Sequence, residues 1–409
     1  MSGSGARDVV RLEVPRVGAL VAAAGDRVVP VRLVDPHGVE VVSVTDFFMY
    51  LRANDASIDT PRSYGKALLR WFRFLWAIDL PWDRAGTVEA RDFMVWLAEA
   101  PKPVSPRRPD APLPGTVNPV THKPYPGRGY AVRTRRHNRA VVRAFYEFHR
   151  DRGTGPMVNP MPDRVGPGGV RPDAHHNPME PFAAGRRAEF QPKLPKRAPV
   201  CMPHELFEKL FAGMRHDRDR ALLSFFISCA ARASEWLTVT CDRVDVGQQL
   251  IGVIRKGSRE LQWLPAAAEA FVWLARYRRG LGPQVTWRAG EPLWRTLRRP
   301  YRALTYPAAR AVMVRANIAL GTNWTMHDLR HAAARRMTRD PDLLLTDVQW
   351  LLGHARLTST QIYTEPDTGE VVERMRGHWA QLAEPRPPAR PAAGYDPEVL
   401  RTLLGGAVL

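Results

Sequence analysis

The stretches WTMHDLRHAAARRM (324–337) and TDVQWLLGHARLTSTQIYTE (346–365) carry the most specific information in this chain. In the first, His327, Arg330 and His331 are spaced i, i+3 and i+4, so they project from one face of a predicted helix. A guanidinium beside an imidazole suits a phosphodiester, because arginine binds two non-bridging oxygens and histidine moves a proton. Binding of a zinc ion by the two histidines is the alternative. It is disfavoured because no glutamate lies between them, as a zincin requires, and because the adjacent arginine would repel the metal.

The second stretch predicts a helix that Thr346 caps and Gly353 ends. The apolar face of this helix consists of Val348, Leu351 and Leu352. His354 follows at the helix terminus, and Tyr363 comes nine residues later on the next predicted short helix. A tyrosine at this position is either a nucleophile or ordinary core packing, and the pattern alone does not choose between them.

Two segments upstream add further polar residues. SCAARASEWLTVTCDRVDV (228–246) predicts a helix with Arg232 and Glu235 one turn apart, which alone would be an ordinary ion pair. QLIGVIRKGSRELQWLP (249–265) predicts a β-hairpin, because two β-rich runs flank a turn that contains a glycine. Lys256 stands at the tip of this hairpin.

Lys256 is unusual because the chain otherwise uses arginine. Of 60 basic residues only seven are lysine, and Lys256 is the one lysine after Lys209. A turn lysine is normally solvated and without a chemical role. Arginine, however, keeps its proton at neutral pH, whereas an ammonium beside a phosphate can release one. The position therefore predicts a general acid.

The net charge of +19 and the pI near 10.6 favour a polyanionic partner, and nucleic acid is the commonest one. A GC-rich coding bias toward arginine would give the same composition. Two predicted helices, 60–78 and 132–150, nevertheless combine an apolar face with a basic one, which favours a grip on phosphates over an ordinary solvated face. The candidate DNA contacts on the basic faces are Arg62, Lys66, Arg70, Arg135, Arg139 and Arg143.

Other features bound the setting. The chain has no apolar run of the roughly 18 residues that a membrane span needs, and its start lacks the apolar region of a signal peptide, so we expect a cytoplasmic, nucleoid-associated prokaryotic protein. The three cysteines have no metal-ligand spacing. His175–His176 in the linker is a weak zinc signal, and no metal site is predicted.

Taken together, the four segments resemble the signature boxes of the tyrosine recombinase (phage integrase) family. The family patterns are an arginine before a Ser-Glu-hydrophobic run, a hairpin Lys-Gly turn, His-x-x-Arg-His, and Leu-Gly-His followed nine residues on by Tyr-Thr. The resemblance covers about 190 residues in the same order and spacing. The helical segment 43–150 is similar to the family's core-binding domain. Ala230, where family members usually have glycine, and Ala332, where they often have threonine, depart from the pattern.

The resemblance implies a role for each matching residue. Tyr363 would attack the scissile phosphorus and form a 3′-phosphotyrosyl link, while Arg232 and Arg330 hold the non-bridging oxygens. Further roles follow for Lys256, which would protonate the departing 5′-oxygen, for His327, which would exchange the tyrosine proton, and for His354, which would hydrogen-bond the phosphate. Glu235 would orient Arg232, and Arg259 and His331 are further candidate DNA contacts. No metal or other cofactor is implied.

The predicted fold is mainly α with a small β-sheet or hairpin, in which a helical core-binding (SAM-like) domain and an integrase-type catalytic domain form a clamp around DNA. The expected boundaries are an N-terminal extension at 1–40, either β or arm-like, a helical DNA-binding domain at 41–155, a linker at 156–191, a catalytic domain at 192–382, and a tail at 383–409 with a short docking helix.

The expected function is site-specific recombination for a mobile element, as an integrase or a transposase. The expected partners are double-stranded DNA sites, further copies of the chain in a tetramer on DNA, and accessory proteins, with no membrane. A type IB topoisomerase-like enzyme and a non-catalytic DNA-binding protein of the same fold are the alternatives, and a zinc-dependent nuclease is a third. The sequence names neither the DNA site nor the direction of the reaction.

Overall fold

The computed structural model describes residues 7–103, 111–165, 186–194, 200–364, 368–383, 396, 398–399 and 402. The chain divides into two compact units, Met1–Lys196 and Arg197–Leu409. Each unit is mainly helical with small antiparallel sheets, which confirms the predicted fold class. Within the described ranges, no helix is both long and apolar enough to cross a bilayer.

The first unit begins with a short antiparallel hairpin and continues with helices. Its main elements in the described ranges are β1 (Ala19–Ala22), β2 (Val31–Val34), α1 (Val42–Ala53), α2 (Asp59–Ala77), α3 (Thr87–Glu99) and α4 (Val132–Arg150). Ala19 pairs with Val34 at the open end of the hairpin. The predicted apolar faces of α2 and α4 are confirmed as core: Leu68, Phe72, Leu75, Val141, Phe145 and Phe148 are buried.

A buried polar chain crosses this core. The indole N–H of Trp71 donates to the hydroxyl of Tyr146 at 3.0 Å, and that hydroxyl donates to the carbonyl of Trp82 at 2.7 Å. Buried polar groups are costly unless they are paired, and here each donor has an acceptor. The two large side chains therefore fix how α2 and α4 pack.

The basic faces of these two helices differ from the prediction. Arg62 and Lys66 are exposed, as expected. The prediction was wrong for Arg139, which is only 5% exposed: its guanidinium donates to a carboxylate oxygen of Asp163 at 2.7 Å and to the carbonyl of Glu189 at 2.7 Å. Arg143 also pairs with Asp163, at 3.1 Å.

Segments that follow α4 cover this part of the helix. Two strands, β3 (Asp163–Val165) and β4 (Arg186–Ala188), pair antiparallel at the two ends of the predicted linker. Their flanking residues supply the acceptors that turn Arg139 inward. His175 and His176 lie outside the described residues.

The second unit contains a three-stranded sheet and a longer set of helices. Its main elements in the described ranges are α5 (His204–Ala212), α6 (Asp217–Cys229), α7 (Ala233–Leu237), β5 (Val244–Asp245), β6 (Leu250–Ile254), β7 (Leu261–Pro265), α8 (Ala268–Leu281), α9 (Tyr306–Leu320), α10 (Met326–Thr338), α11 (Leu345–Leu352), α12 (Thr358–Gln361) and α13 (Thr368–Ala383). The sheet order is β5-β6-β7, antiparallel throughout, so the predicted hairpin is confirmed. An aromatic cluster of Phe225, Trp236 and Trp294 fills the core beneath it.

Two local predictions in this unit were wrong. The segment 228–246 is not one helix, because α6 ends at Cys229 and Ala230 adopts a left-handed conformation with φ of 51°. Thr346 does not cap α11, which begins at Leu345; the carboxylate of Asp347 instead accepts the N–H of Leu344 at 2.9 Å. In both places a carboxylate three residues further on, that of Glu235 or Asp347, accepts the backbone N–H just ahead of the helix.

Candidate active site

The break between α6 and α7 sets the position of Arg232. Arg232 directly precedes α7, and its extended backbone starts that helix. Ala230 adopts a left-handed conformation, in which its Cβ carries a penalty that glycine would not have. This conformation also turns the carbonyl of Ala230 toward Arg330, whose Nη1 donates to it at 2.7 Å. The first arginine box is thereby joined to the second.

Glu235 is the polar centre of this region. One carboxylate oxygen accepts from Arg232 Nη1 at 2.8 Å and from the backbone N–H of Lys256 at 3.0 Å. The other accepts from the N–H of Arg232 at 2.8 Å and from Arg255 Nη1 at 3.1 Å. Burial raises the pKa of this carboxyl, but the two backbone donors and the Arg232 guanidinium outweigh it, so its pKa lies below the ordinary value. Glu235 is therefore an anion that ties the hairpin to the arginine, in line with its predicted orienting role.

The β6–β7 hairpin presents one basic side chain outward and another inward. Lys256 is exposed at the turn, next to Gly257 with φ of 117°. Arg255 is 5% exposed and donates to the carbonyls of Trp350 and Leu351, at 3.2 and 2.6 Å. Arg255 was missed in the sequence, although strand alternation places it on the face opposite Lys256. Arg259 is exposed in the same turn.

Arg330 on α10 is a buried charge near the tyrosine, with 2% exposure. Besides Ala230, its Nη2 contacts the carbonyl of Leu352 at 2.7 Å and Nε2 of His354 at 3.1 Å. Burial and the neighbouring Arg232 lower its pKa to about 10, so it remains a cation at neutral pH. Its guanidinium plane is fixed before any ligand binds.

His354 is held in one tautomer by its two partners. Arginine can only donate, so Nε2 of His354 accepts from Arg330, and Nδ1–H donates to the hydroxyl of Thr360 at 3.0 Å. Burial first, and then the charge of Arg330, lowers its pKa to about 4. The imidazole is therefore neutral at physiological pH.

Tyr363 lies just after α12 and is 5% exposed. It belongs to a small buried cluster with Ala230, Ala333, Ala334, Val348 and Leu352. A hydrogen bond of 2.8 Å joins its hydroxyl to Nδ1 of His331. Burial raises the pKa of the phenol, so it is protonated at neutral pH.

The structure places His331, rather than His327, where the sequence interpretation expected the histidine that meets Tyr363. His331, predicted only as a DNA contact, meets the phenol of Tyr363. His327, predicted to exchange the tyrosine proton, is exposed, and its ring lies edge-on against His331 with 4.2 Å between centroids. The two histidines share one helix face, so spacing alone could not tell which of them faces the tyrosine.

The structure thus brings Arg232, Arg330, His354, His331 and Tyr363 close together, and Glu235 ties the backbone of Lys256 to Arg232. Of the predicted contacts in the first unit, Arg70 is partly buried against Tyr130 and Asn138, and Arg135 is partly buried on α4. In the part of the chain that the structure describes, no three His, Cys, Asp or Glu side chains are grouped so that they could hold a metal ion.

Comparison with known proteins identifies relatives of the second unit. Residues 202–370 match the phage integrase family. Over 180 residues the chain is 34% identical to tyrosine recombinase XerD of Pseudomonas aeruginosa, covering 42% of this chain and 59% of that protein. It is 33% identical over 196 residues to tyrosine recombinase XerC of Chromobacterium violaceum, covering 45% and 61%. The chain thus spans less than two thirds of the length of these relatives.

Solved structures share the fold over more of the chain. A XerH site-specific recombinase bound to a palindromic difH substrate in a post-cleavage complex aligns with a TM-score of 0.52 at 17% identity, covering 80% of this chain and 82% of that one. The Tn1549 transposon integrase in complex with circular intermediate DNA aligns with a TM-score of 0.53 at 13% identity, covering 81% and 98%. At these identities the likeness concerns the fold alone.

Proposed function

We propose that the protein is a site-specific DNA recombinase of the integrase or transposase type, because residues 202–370 match the phage integrase family. It cleaves and rejoins DNA strands through a 3′-phosphotyrosyl intermediate on Tyr363. The observation that carries this proposal is the convergence of Tyr363 and His354 with the buried guanidinium of Arg330. These groups come from three separate helical segments.

Arg330 and Arg232 would bind the scissile phosphate. As the phenol oxygen approaches phosphorus, negative charge grows on the non-bridging oxygens, and fixed cations stabilise that charge without reorganising. Arg330 is preorganised by the carbonyls of Ala230 and Leu352, and Arg232 by Glu235. The side chain of Arg232 is 31% exposed, so part of it is open to a ligand.

Lys256 would supply the proton for the leaving group. The bond from phosphorus to the 5′-oxygen breaks as the bond from the phenol oxygen forms, and the ammonium protonates the departing oxygen. Glu235 fixes the root of this hairpin turn while the Lys256 side chain stays exposed. Arg259 in the same turn would contact the DNA backbone.

His354 would join the phosphate contacts once DNA is bound. In the DNA-free protein its Nε2 accepts from Arg330. A bound phosphate would take that guanidinium donor, and the imidazole would then turn a proton toward the same phosphate by changing tautomer. No metal ion is required at any step of this scheme.

Double-stranded DNA would be the substrate and the main partner. Support comes from the net charge of +19, from exposed Arg62 and Lys66, and from the DNA-bound state of the recombinases that share the fold. Phosphate contacts of this kind give affinity that falls steeply with salt. Such an enzyme would work where bacterial DNA lies, in the cytoplasm.

The active form would be a homo-oligomer, a tetramer on two DNA sites. Helix α13 supports assembly, because it leaves an apolar stripe exposed: Val371, Val372, Met375 and Trp379 are 38–58% exposed. We assign a second copy of this chain as the partner of this stripe. The predicted docking helix near 396–402 lies largely outside the described residues. A monomeric topoisomerase would have no use for such a stripe.

Trp379→Arg tests the assembly. It should abolish synapsis of two DNA sites in a gel assay while single-site binding persists. Ile318→Arg is the matched control, since Ile318 is 63% exposed on α9 and should tolerate the charge. Equal synapsis by the two variants would contradict the assignment.

Covalent capture tests the function itself. The wild-type protein is incubated with a pool of duplexes that carry a nick within randomised sequence, and adducts are resolved under denaturing conditions. We expect that the wild-type protein forms an adduct even when a chelator is present. Tyr363→Phe should form none. An adduct from Tyr363→Phe, or none from the wild type with genomic fragments of the source organism as substrate, would refute the proposal.

A further inference from the structure

We propose that His331 is the residue that removes the proton from Tyr363 during strand cleavage and returns it during rejoining. This inference rests on the proposed function and adds a catalytic residue to it. Its basis is the 2.8 Å hydrogen bond between the phenol oxygen and Nδ1 of His331.

The buried phenol needs a proton acceptor. Burial raises the pKa of Tyr363, so at neutral pH the hydroxyl carries its proton, and a neutral phenol is a weak nucleophile. Removal of that proton as the bond to phosphorus forms is the usual remedy. Within the described ranges, His331 is the hydrogen-bond partner of the phenol oxygen.

The other two histidines are less suited to this task. Both ring nitrogens of His354 are engaged, one by Arg330 and one by Thr360, and its ring lies parallel to that of Tyr363 with 6.5 Å between centroids. His327 contacts the ring of His331 rather than the phenol, and it is exposed. It lies on the solvent side of the pair.

The position of His331 is well determined. It directly follows Arg330 on α10, so the phosphate-binding cation and the proton acceptor are fixed by the same turn of helix. The helix start is stabilised by Thr325 and Asp328, each of which accepts the backbone N–H of the other. The Cys201 thiol contacts the His331 carbonyl at 3.7 Å.

The step balances as follows. The phenol donates its proton to Nδ1 of His331, giving an imidazolium, while the phenol oxygen bonds to phosphorus. The bond from phosphorus to the 5′-oxygen breaks, and Lys256 protonates that oxygen. In rejoining, a 5′-hydroxyl gives its proton to the neutral Lys256 amine and bonds to phosphorus. The bond from phosphorus to the phenol oxygen breaks, and the imidazolium returns its proton to that oxygen.

Single-turnover adduct formation tests this on the nicked duplex that the wild-type protein captures. His331→Ala should slow adduct formation about 100-fold or more, the usual contribution of a general base. His331→Gln should be as slow, because glutamine can still bond the phenol but cannot take its proton. His216→Ala is the matched control, an exposed histidine ahead of α6, and should react at the wild-type rate.

A lowered phenol pKa separates proton transfer from a structural role. Replacing Tyr363 with 3,5-difluorotyrosine makes the phenol ionise more readily, so it depends less on a base. This replacement should increase the rate of adduct formation by His331→Ala at least tenfold, while the rate of the otherwise wild-type protein changes little. A purely structural defect would not respond to fluorination.

The outcomes distinguish the two proposals. No adduct from wild-type protein with any duplex refutes the recombinase. A wild-type adduct with an equally fast His331→Ala, a fast His331→Gln, or no gain from fluorination overturns the role of His331 alone. The same holds if His327→Ala is the slower variant and is the one that fluorination speeds.

Discussion

Gly353 lies directly against the guanidinium of Arg255: a Cβ at position 353 would lie 2.9 Å from Nε and 3.0 Å from Cζ of that arginine. Gly353 also has φ of 59°, in the left-handed region. The glycine that ends α11 therefore meets two requirements at once, a backbone conformation and a close approach. The approached side chain is the one that links the hairpin to the end of α11.

Gly353→Ala should reduce the free energy of unfolding by about 2 kcal/mol or more, since left-handed backbone alone costs a residue with a Cβ about 1 kcal/mol and the contact with Arg255 adds to it. It should also slow cleavage, because Arg255 must shift. Gly321→Ala is the matched control: φ is 63°, and nothing lies within 4 Å of the added Cβ. Urea denaturation measures the free energy of unfolding of both variants. Equal losses of that free energy would show that the contact with Arg255 does not contribute.

Lys256→Ala should slow adduct formation about 100-fold on an ordinary nicked duplex, because the 5′-oxygen then leaves without a proton. A duplex with sulfur in place of that bridging oxygen should restore most of the rate, since a thiolate leaves unprotonated. Lys256→Arg should resemble Lys256→Ala, because arginine keeps its proton. Arg259→Ala is the control for lost charge in the turn. Equal acceleration of Arg259→Ala and Lys256→Ala by the thio substrate would contradict the assignment.

His354 should make stability sensitive to mild acid. Its folded pKa of about 4 lies below the unfolded value, so the unfolded chain takes up the proton first as pH falls. The contribution of neutral His354 to the free energy of unfolding is complete above about pH 6.5 and is lost toward pH 4. This loss amounts to about 2 kcal/mol after allowance for solvent screening. His354→Gln should lack this part of the loss. Urea denaturation at pH 7 and pH 4.5 compares the two, and parallel losses would contradict the prediction.

The exposed and buried basic residues of the first unit should behave differently when replaced. Lys66→Ala should lower the slope of log affinity against log salt by about 0.9 for a duplex of mixed sequence, without changing stability. Arg139→Met should cost about 3 kcal/mol of unfolding free energy, because Asp163 loses its buried partner. Its salt slope should match the wild type. A lower slope for Arg139→Met in the folded protein would restore it as a DNA contact.

Local periodicity was sufficient for much of the fold. The apolar faces of α2 and α4 are core as predicted, and the hairpin around Lys256 forms where the glycine turn indicated. These features depend on neighbouring residues, so the sequence specifies them directly. The break at Ala230 could not be seen, because an alanine in the left-handed region carries no sequence signal for a helix end.

The remaining differences depend on contacts between distant residues. Arg139 is buried by acceptors at Asp163 and Glu189, which are 24 and 50 positions away. Whether His327 or His331 meets Tyr363 depends on how α10 packs against a segment more than 30 residues further on. Helical spacing places both histidines on one face and cannot rank them.

The burial of Tyr363 gives the free protein a distinctive chemical footprint. A reagent such as tetranitromethane, which nitrates accessible phenols, would label exposed rings such as Tyr306, at 52% exposure, and spare Tyr363, at 5%. DNA binding that loosens the packing around this ring would raise its nitration. Nitration at this one position, read on a peptide map, would therefore report when the nucleophile becomes accessible.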